Sequence, residues 1–241
     1  GAVTVPLFNS SFEAGNTGAA TGLGKHLTFA ELNTTSPGWD TYTGVQGWNT
    51  TSGNRIEIHS DFDQTKIDAQ DGDYYISLDG GRNSSISQSV ALTAGTYLLS
   101  FWYSPESTNV ASNAISYSVG NLLNGVAKWG VNGAKMGSWT QITALFYVHG
   151  AGGNYDLSFG ALGSANGVGG FLDNVSIAAV PVPAAGLGLL GQGRGLEIER
   201  YRRAAPHGRQ SLELGQGGKI DWQHGPDLCF MCLSSRIARR P

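Results

Sequence analysis

Three aromatic residues, Trp39, Tyr42 and Trp48, fall within residues 37–53, a stretch otherwise made largely of Gly, Thr, Asn and Ser. Flat rings carried on a loop can stack on the apolar C–H faces of sugar rings, while Asn, Asp or Arg neighbours bond the sugar hydroxyls. The same rings could instead pack into a core, as Trp102 and Trp139 are expected to do. Just beyond, Arg55, Glu57 and His59 alternate with Ile56 and Ile58. In a strand this spacing puts the polar side chains on one face and the isoleucines inward, so the polar row either lines a groove or is solvated. Trp39, Tyr42, Trp48, Arg55 and Glu57 are the candidate ligand-binding residues.

Signatures of catalysis are missing from the chain. It has no Gly-x-Ser-x-Gly elbow, no His-Glu-x-x-His pair and no phosphate-binding loop. The glycine-rich string 165–170 lacks the lysine of such a loop and precedes a strand, so no helix N-terminus is there to hold a phosphate. His26, His59 and His149 have no partner motif. The acidic stretch 61–73 lacks the EF-hand spacing and reads as a solvated polar loop. Cys229 and Cys232 form a single Cys-x-x-Cys with His207 and His224 irregularly upstream, a poor basis for zinc. A non-catalytic protein is expected. A hydrolase whose carboxylate pair is brought together only by the fold stays open as a rival, and so does a structural matrix protein with no ligand site.

The elements that would position these residues are short strands. Period-2 segments split by Gly, Asn and Ser occur at residues 3–8, 54–59, 73–79, 85–92, 96–103, 114–119, 126–131, 138–148, 154–160 and 170–178. Within 85–92 the polar Gln88 shares parity with the apolar Ile86, Val90 and Leu92. Residues 15–32 and 37–53 carry no clear pattern, and no sustained 3.6-residue stripe demands a long helix between 33 and 178. With 36 glycines in 241 residues and only 14% charged residues, the expected fold is all-β: an antiparallel β-sandwich or jelly roll.

Charge divides the chain. Residues 1–180 carry 6 Lys/Arg against 13 Asp/Glu, a net of −7, while 181–241 carry 9 against 5, a net of +4. An acidic body argues against a nucleic-acid partner. The two prolines of Val180-Pro181-Val182-Pro183-Ala184 end strand structure, and 192–241 reads as a disordered tail. The expected organisation is a β-sandwich at 1–179, a proline motif at 180–191 and an atypical tail at 192–241.

Several of these segments carry a family resemblance. Phe8-Asn9-Ser10-Ser11-Phe12-Glu13, Pro37-Gly38-Trp39, Gly47-Trp48, residues 71–79, Ile86-Ser87-Gln88-Ser89-Val90, Tyr97–Trp102 and Phe171-Leu172-Asp173-Asn174-Val175-Ser176-Ile177 resemble, in that order, galactose-binding-like jelly-roll modules, many of which are carbohydrate-binding modules of secreted or surface proteins. The resemblance covers about 5–179 and implies a polysaccharide or glycan partner. It also implies a structural calcium held near the opening and closing strands, which maps onto Glu13 and Asp173 and suits hard oxygen ligands from distant chain segments. Val180–Ala184 resembles the start of a PEP-CTERM sorting signal of the VPxPA type, which implies export to an extracellular polysaccharide. The usual membrane helix does not follow. The apolar run 184–191 covers about 12 Å of a core about 30 Å thick, so the signal is incomplete and the chain is expected to behave as secreted. No leader stands at Gly1-Ala2-Val3, and any signal peptide is expected to have been removed.

Overall fold

The computed structural model describes residues 3–21, 25–181, 210–214 and 218–222. Its strands in the first two spans are β1 (Thr4–Val5), β2 (Asn16–Ala20), β3 (Trp39–Val45), β4 (Asn49–Ser52), β5 (Ile56–Ser60), β6 (Tyr74–Ser77), β7 (Ser85–Leu92), β8 (Gly95–Pro105), β9 (Ala114–Val119), β10 (Leu123–Ala127), β11 (Thr140–Val148), β12 (Gly153–Leu162) and β13 (Gly170–Ala179). One short helix, α1 (Phe29–Leu32), opens with a capping box between Thr28 and Glu31.

Eight strands form one sheet in the order β11, β8, β13, β6, β5, β3, β2, with β1 beside β13, and five form a second sheet in the order β10, β9, β12, β7, β4. All of these pairings are antiparallel. Ile58, Ile76, Phe101, Ile142 and Leu172 of the first sheet meet Ile86, Ile115, Val119, Leu157 and Phe159 of the second in one core. The edge-to-face pair Phe101 and Phe159, with centroids 5.1 Å apart, bridges the layers. The chain is an antiparallel β-sandwich of the jelly-roll type.

Alternation explains the cleanest strands. In β9 Ile115, Tyr117 and Val119 face the core while Ser116 and Ser118 face away. Gln88, which breaks the apolar parity of β7, turns its side chain to the edge: its Oε1 accepts the Phe8 N–H at 2.8 Å, and its Nε2 donates to the Phe8 and Gly47 carbonyls at 2.9 and 3.0 Å.

Three expectations change. Residues 15–32 and 37–53, without a legible pattern, hold β2, α1, β3 and β4. In β3 the alternation is masked because Asp40 is buried, its carboxylate accepting the N–H groups of Leu27 (2.8 Å) and Thr41 (2.7 Å). The segment 126–131 is strand only at Val126 and Ala127. There β10 ends, and Val131–Gly133 form a single 3-10 turn. Finally, Gln210–Leu214 and Gly218–Trp222 pair antiparallel as β14 and β15, with Leu212 opposite Ile220, where no element was expected. The polar–apolar alternation of Gln210-Ser211-Leu212-Glu213-Leu214 is the overlooked signal. The rest of the 192–241 tail and the proline motif beyond Pro181 lie outside the described residues. Among the described residues no helix is long and apolar enough to cross a membrane.

Candidate functional site

The expected aromatic trio does not form an exposed loop platform. Tyr42 is 1% exposed and Trp48 4% exposed. The Tyr42 hydroxyl donates to the Leu27 carbonyl at 2.7 Å, and the Trp48 Nε1–H donates to the Asn9 carbonyl at 3.0 Å. Trp48 packs between Phe12 and Phe159, centroids 5.9 and 6.0 Å away. Both rings belong to the core because β3 and the turn after it are integral to the sandwich. Trp39 is half-buried and stacks on His59 at 6.0 Å. Trp102 and Trp139, expected in the core, are instead half-buried. By register Trp102 shares the outer face of the large sheet with Asp173, and Trp139 donates its Nε1–H to the Asp68 carbonyl at 2.8 Å.

The polar row of β5 is neither groove nor solvated surface. Glu57 is 5% and His59 1% exposed, and Arg55 lies half-buried just before the strand. Of the acidic loop 61–73, Asp63 turns inward onto this face and is buried, while Asp68, Asp71 and Asp73 stay exposed as expected. His59 is held between Asp63 Oδ2 on Nδ1 and Glu57 Oε2 on Nε2, both at 3.3 Å. Burial works against a charged imidazole, but the two carboxylates outweigh it and raise His59 to about 9. Asp63 carries the compensating charge. Burial works to raise it, yet bonds from His59 and from the N–H and hydroxyl of Thr65 hold it below the ordinary aspartate range. Glu57 is pushed up by burial, only partly offset by His59. Lys66 Nζ meets Glu106 Oε1 at 2.8 Å, tying the same loop down.

Glu13 and Asp173 are brought to the far end of this loop. Glu13 Oε1 accepts the N–H groups of Asp73 (3.1 Å) and Tyr74 (2.9 Å), and Asp173 Oδ2 those of Gln70 (2.8 Å) and Asp71 (3.0 Å). A bulge in β13, with Asn174 at φ 46°, aims Asp173 at the loop. Burial raises Asp173 to about 7 against these bonds, and the Glu13 charge adds to the rise. Among the described residues no group of three or more His, Cys, Asp or Glu side chains converges to hold a metal ion.

The open surface lies elsewhere, on the outer face of the five-stranded sheet. The register places Asn124 of β10 opposite Ser118 of β9, Ser118 opposite Ser158 of β12, Ser158 opposite Ser87 of β7, and Ser87 opposite Asn49 of β4. Directly paired residues share a face, so one neutral row of hydroxyls and amides crosses every strand of the sheet. Beside it runs Val126, Ser116, Gly160, Ser85 and Ser52. A depression of about 470 Å³ lies over the β10, β9 and β12 part of these rows and reaches Ser85 and Thr51, with Ser116, Ser118, Asn124 and Ser158 in its lining. Ser116 Oγ donates to the Gly160 carbonyl at 3.1 Å. No hydrogen bond within the described residues engages the side chains of Asn49, Ser85, Ser118, Asn124 or Ser158, which are exposed or half-buried, whereas Ser87 in the middle of the row is buried. None of these residues is among the sequence-based candidates. The signal was serine at every second position in Ser85-Ile86-Ser87-Gln88-Ser89 and again in Ser116-Tyr117-Ser118.

No protein-family model and no curated protein matches the chain. Among solved structures it is similar to TmCBM61, determined in complex with β-1,4-galactotriose, at 18% identity over 73% of this chain and 99% of that chain, with a TM-score of 0.46. It is also similar to the CBM22-1 xylan-binding domain of Paenibacillus barcinonensis Xyn10C, at 16% identity over 57% of this chain and 88% of that one, with a TM-score of 0.37. A third similarity is to arabinose-bound MgGH51 α-L-arabinofuranosidase, at 14% identity and a TM-score of 0.43, with 73% of this chain matching 26% of the enzyme.

Proposed function

We propose that this domain binds carbohydrate without catalysis, through the outer face of the five-stranded sheet. The carrying observation is the unbroken cross-strand row Asn124, Ser118, Ser158, Ser87, Asn49 beside a depression of about 470 Å³. Polyhydroxylated chains both donate and accept hydrogen bonds, and serine and asparagine match both capacities without a net charge to desolvate. An exopolysaccharide outside the cell is the proposed setting, supported by a cysteine-free body and by the resemblance at Val180–Ala184 to an export signal. Affinity electrophoresis of the purified chain in gels containing a panel of polysaccharides is the test. At least one polymer should retard the protein, and Ser118→Ala with Ser158→Ala should weaken that retention about fivefold for each lost bond of about 1 kcal/mol. Free migration on every polymer would leave the structural matrix role in its place.

Calcium at the Glu13 and Asp173 seam is proposed as a structural element of the same domain. Asp173 is wholly buried with the Glu13 charge close by, and among the described residues no cationic side chain pairs with either. Glu13 Oε2, which takes no hydrogen bond there, is an oxygen open to a hard cation. Such an ion would tie the opening and closing strands to the 70–74 loop. Chelator is expected to lower the melting temperature by about 5–10 °C, from about 2.7 kcal/mol of binding linkage at a hundredfold excess over Kd. An unchanged melt after stripping would remove calcium from the account.

A further inference from the structure

We propose that the open edge of the large sheet is a self-association surface: β11 pairs antiparallel with β11 of a second copy of this chain, centred on Ala144, and joins the two large sheets into one.

Backbone direction carries the argument. The Val180 N–H donates to the Thr96 carbonyl at 2.8 Å, so Thr96 turns its main-chain groups toward β13. Successive residues of a strand turn theirs to opposite sides, and Tyr97 and Leu99 of β8 therefore bond Phe146 and Ala144, their register partners in β11. The N–H and C=O groups of Gln141, Thr143, Leu145 and Tyr147 then face away from β8, at the open end of the sheet. Among the described residues no main-chain hydrogen bond outside the ladders reaches these groups.

This edge differs from the other three. β2 and β4 are broken by register shifts, and β10 has five residues with a glycine in the middle. In contrast, β11 runs nine residues against β8 without a shift, and the segment 140–148 contains no charged residue, proline or glycine. Charge, proline and bulges are the usual guards of an exposed edge. β11 has none of them. Its outward side chains Leu145 and Tyr147 are 54% and 56% exposed. The rows that begin at Thr143 and Leu145 cross β8 at Ser100 and Leu98 and reach Ser176 and Ala178 of β13, all uncharged in a body of net charge −7.

A second copy is the occupant that fits. Two copies repel one another through their net charge, and these uncharged rows are where they can approach at least cost. Paired about Ala144, the strand is its own complement: Gln141 stands opposite Tyr147 of the second copy and Thr143 opposite Leu145, and the reverse. Each such pair exchanges two hydrogen bonds, about eight in all, within the usual range for a specific interface. Any other register leaves more of the edge groups unpaired. Ala144, the smallest side chain of the strand, lies on the two-fold axis, where the two backbones come closest. An isologous contact of this kind closes at two copies. The axis stands perpendicular to the joined sheet, so both copies turn their five-stranded sheets to the same side. One polysaccharide could then engage both copies, a gain in avidity that rests on the carbohydrate-binding function above. The dimer itself does not.

The test is size-exclusion chromatography with light scattering on the full chain over a dilution series, with reductant present so that Cys229 and Cys232 cannot cross-link. The parent should run at twice the chain mass when concentrated and approach the chain mass on dilution. Thr143→Pro removes only an N–H that faces the open edge, where proline is tolerated, and with it two bonds across the axis. Leu145→Lys puts a charge on an exposed position beside its own copy. Each variant, first shown to melt as the diluted parent does, should weaken dimerisation about thirtyfold or more. Ser89→Lys, an exposed charge on the other sheet, should leave it unchanged. Hydrogen exchange reads the edge without a variant: the amides of Gln141, Thr143, Leu145 and Tyr147 should exchange slowly in the dimer and faster on dilution. A parent that stays at the chain mass at every concentration overturns the proposal, as does a dimer that survives both edge variants. Edge amides that exchange at one rate in dimer and monomer overturn it too. None of these readings depends on whether the parent binds a glycan, so this proposal and the carbohydrate-binding function fail separately.

Discussion

Replacing Trp48 by alanine is expected to lower the stability of the sandwich by about 3–5 kcal/mol, the usual cost of emptying a buried aromatic site. In thermal melting this is a fall on the order of 10 °C or more for a chain of this size. The expectation follows from packing. Trp48 is only 4% exposed, touches Phe12 and Phe159, and spends its Nε1–H on the Asn9 carbonyl at 3.0 Å. Trp48→Phe keeps an aromatic ring and gives up that bond, so a loss nearer 1 kcal/mol from the unmade bond plus a modest packing term is expected. Glycan retention per folded molecule should stay as in the parent for both variants. An alanine variant that melts like the parent but no longer binds glycan would return Trp48 to an exposed binding loop.

The second large effect is in pH. His59 has its folded value raised to about 9 from the ordinary 6.5 by Asp63 and Glu57. Its contribution is therefore fully present below about 6.5 and is lost as pH rises through 9. Its size is about 3 kcal/mol, from 1.36 kcal/mol for each tenfold change in proton affinity. Asp173, raised to about 7 by burial, acts in the same direction at lower pH: its contribution is present near the ordinary aspartate value and is lost by pH 7. Asp63, held low, opposes them only in strong acid. The melting temperature is thus expected to be several degrees higher at pH 6 than at pH 9.5 in the same buffer salt. In His59→Gln the slope between pH 6.5 and 9 should flatten. Because that variant leaves Glu57 and Asp63 without their cation, Asp63→Asn provides a second reading of the same window. A parent that melts equally at both pH values would mean that His59 is neutral in the fold.

Much of the architecture was legible because strand chemistry is local. In β7 and β9 the alternation of Ile86 or Ile115 with serine is enough to assign a strand, its inner face and its length, and both were assigned with the bounds they have in the fold. Where a polar side chain turns inward to satisfy a backbone donor, as Asp40 does for Leu27, the period disappears and β3 could not be seen. The 61–73 loop is solvated at Asp68, Asp71 and Asp73, as its composition suggests, but not throughout. Asp63 is buried against His59 and Lys66 is tied to Glu106, contacts made with residues that no local pattern connects.

The sequence by itself determined that the chain would be antiparallel β-structure with an acidic, cysteine-free body, because period-2 patterning, glycine-rich turns and charge are properties of neighbours along the chain. Only the tertiary structure decided which polar and aromatic groups face outward. Trp48 and Glu57 went inside because an element from elsewhere covers each of them. Asn49, Ser87, Ser118, Asn124 and Ser158, up to 109 positions apart in sequence, became one row because strand register is fixed by pairing between distant segments. The same pairing placed Gly160 between Ser85 and Ser116.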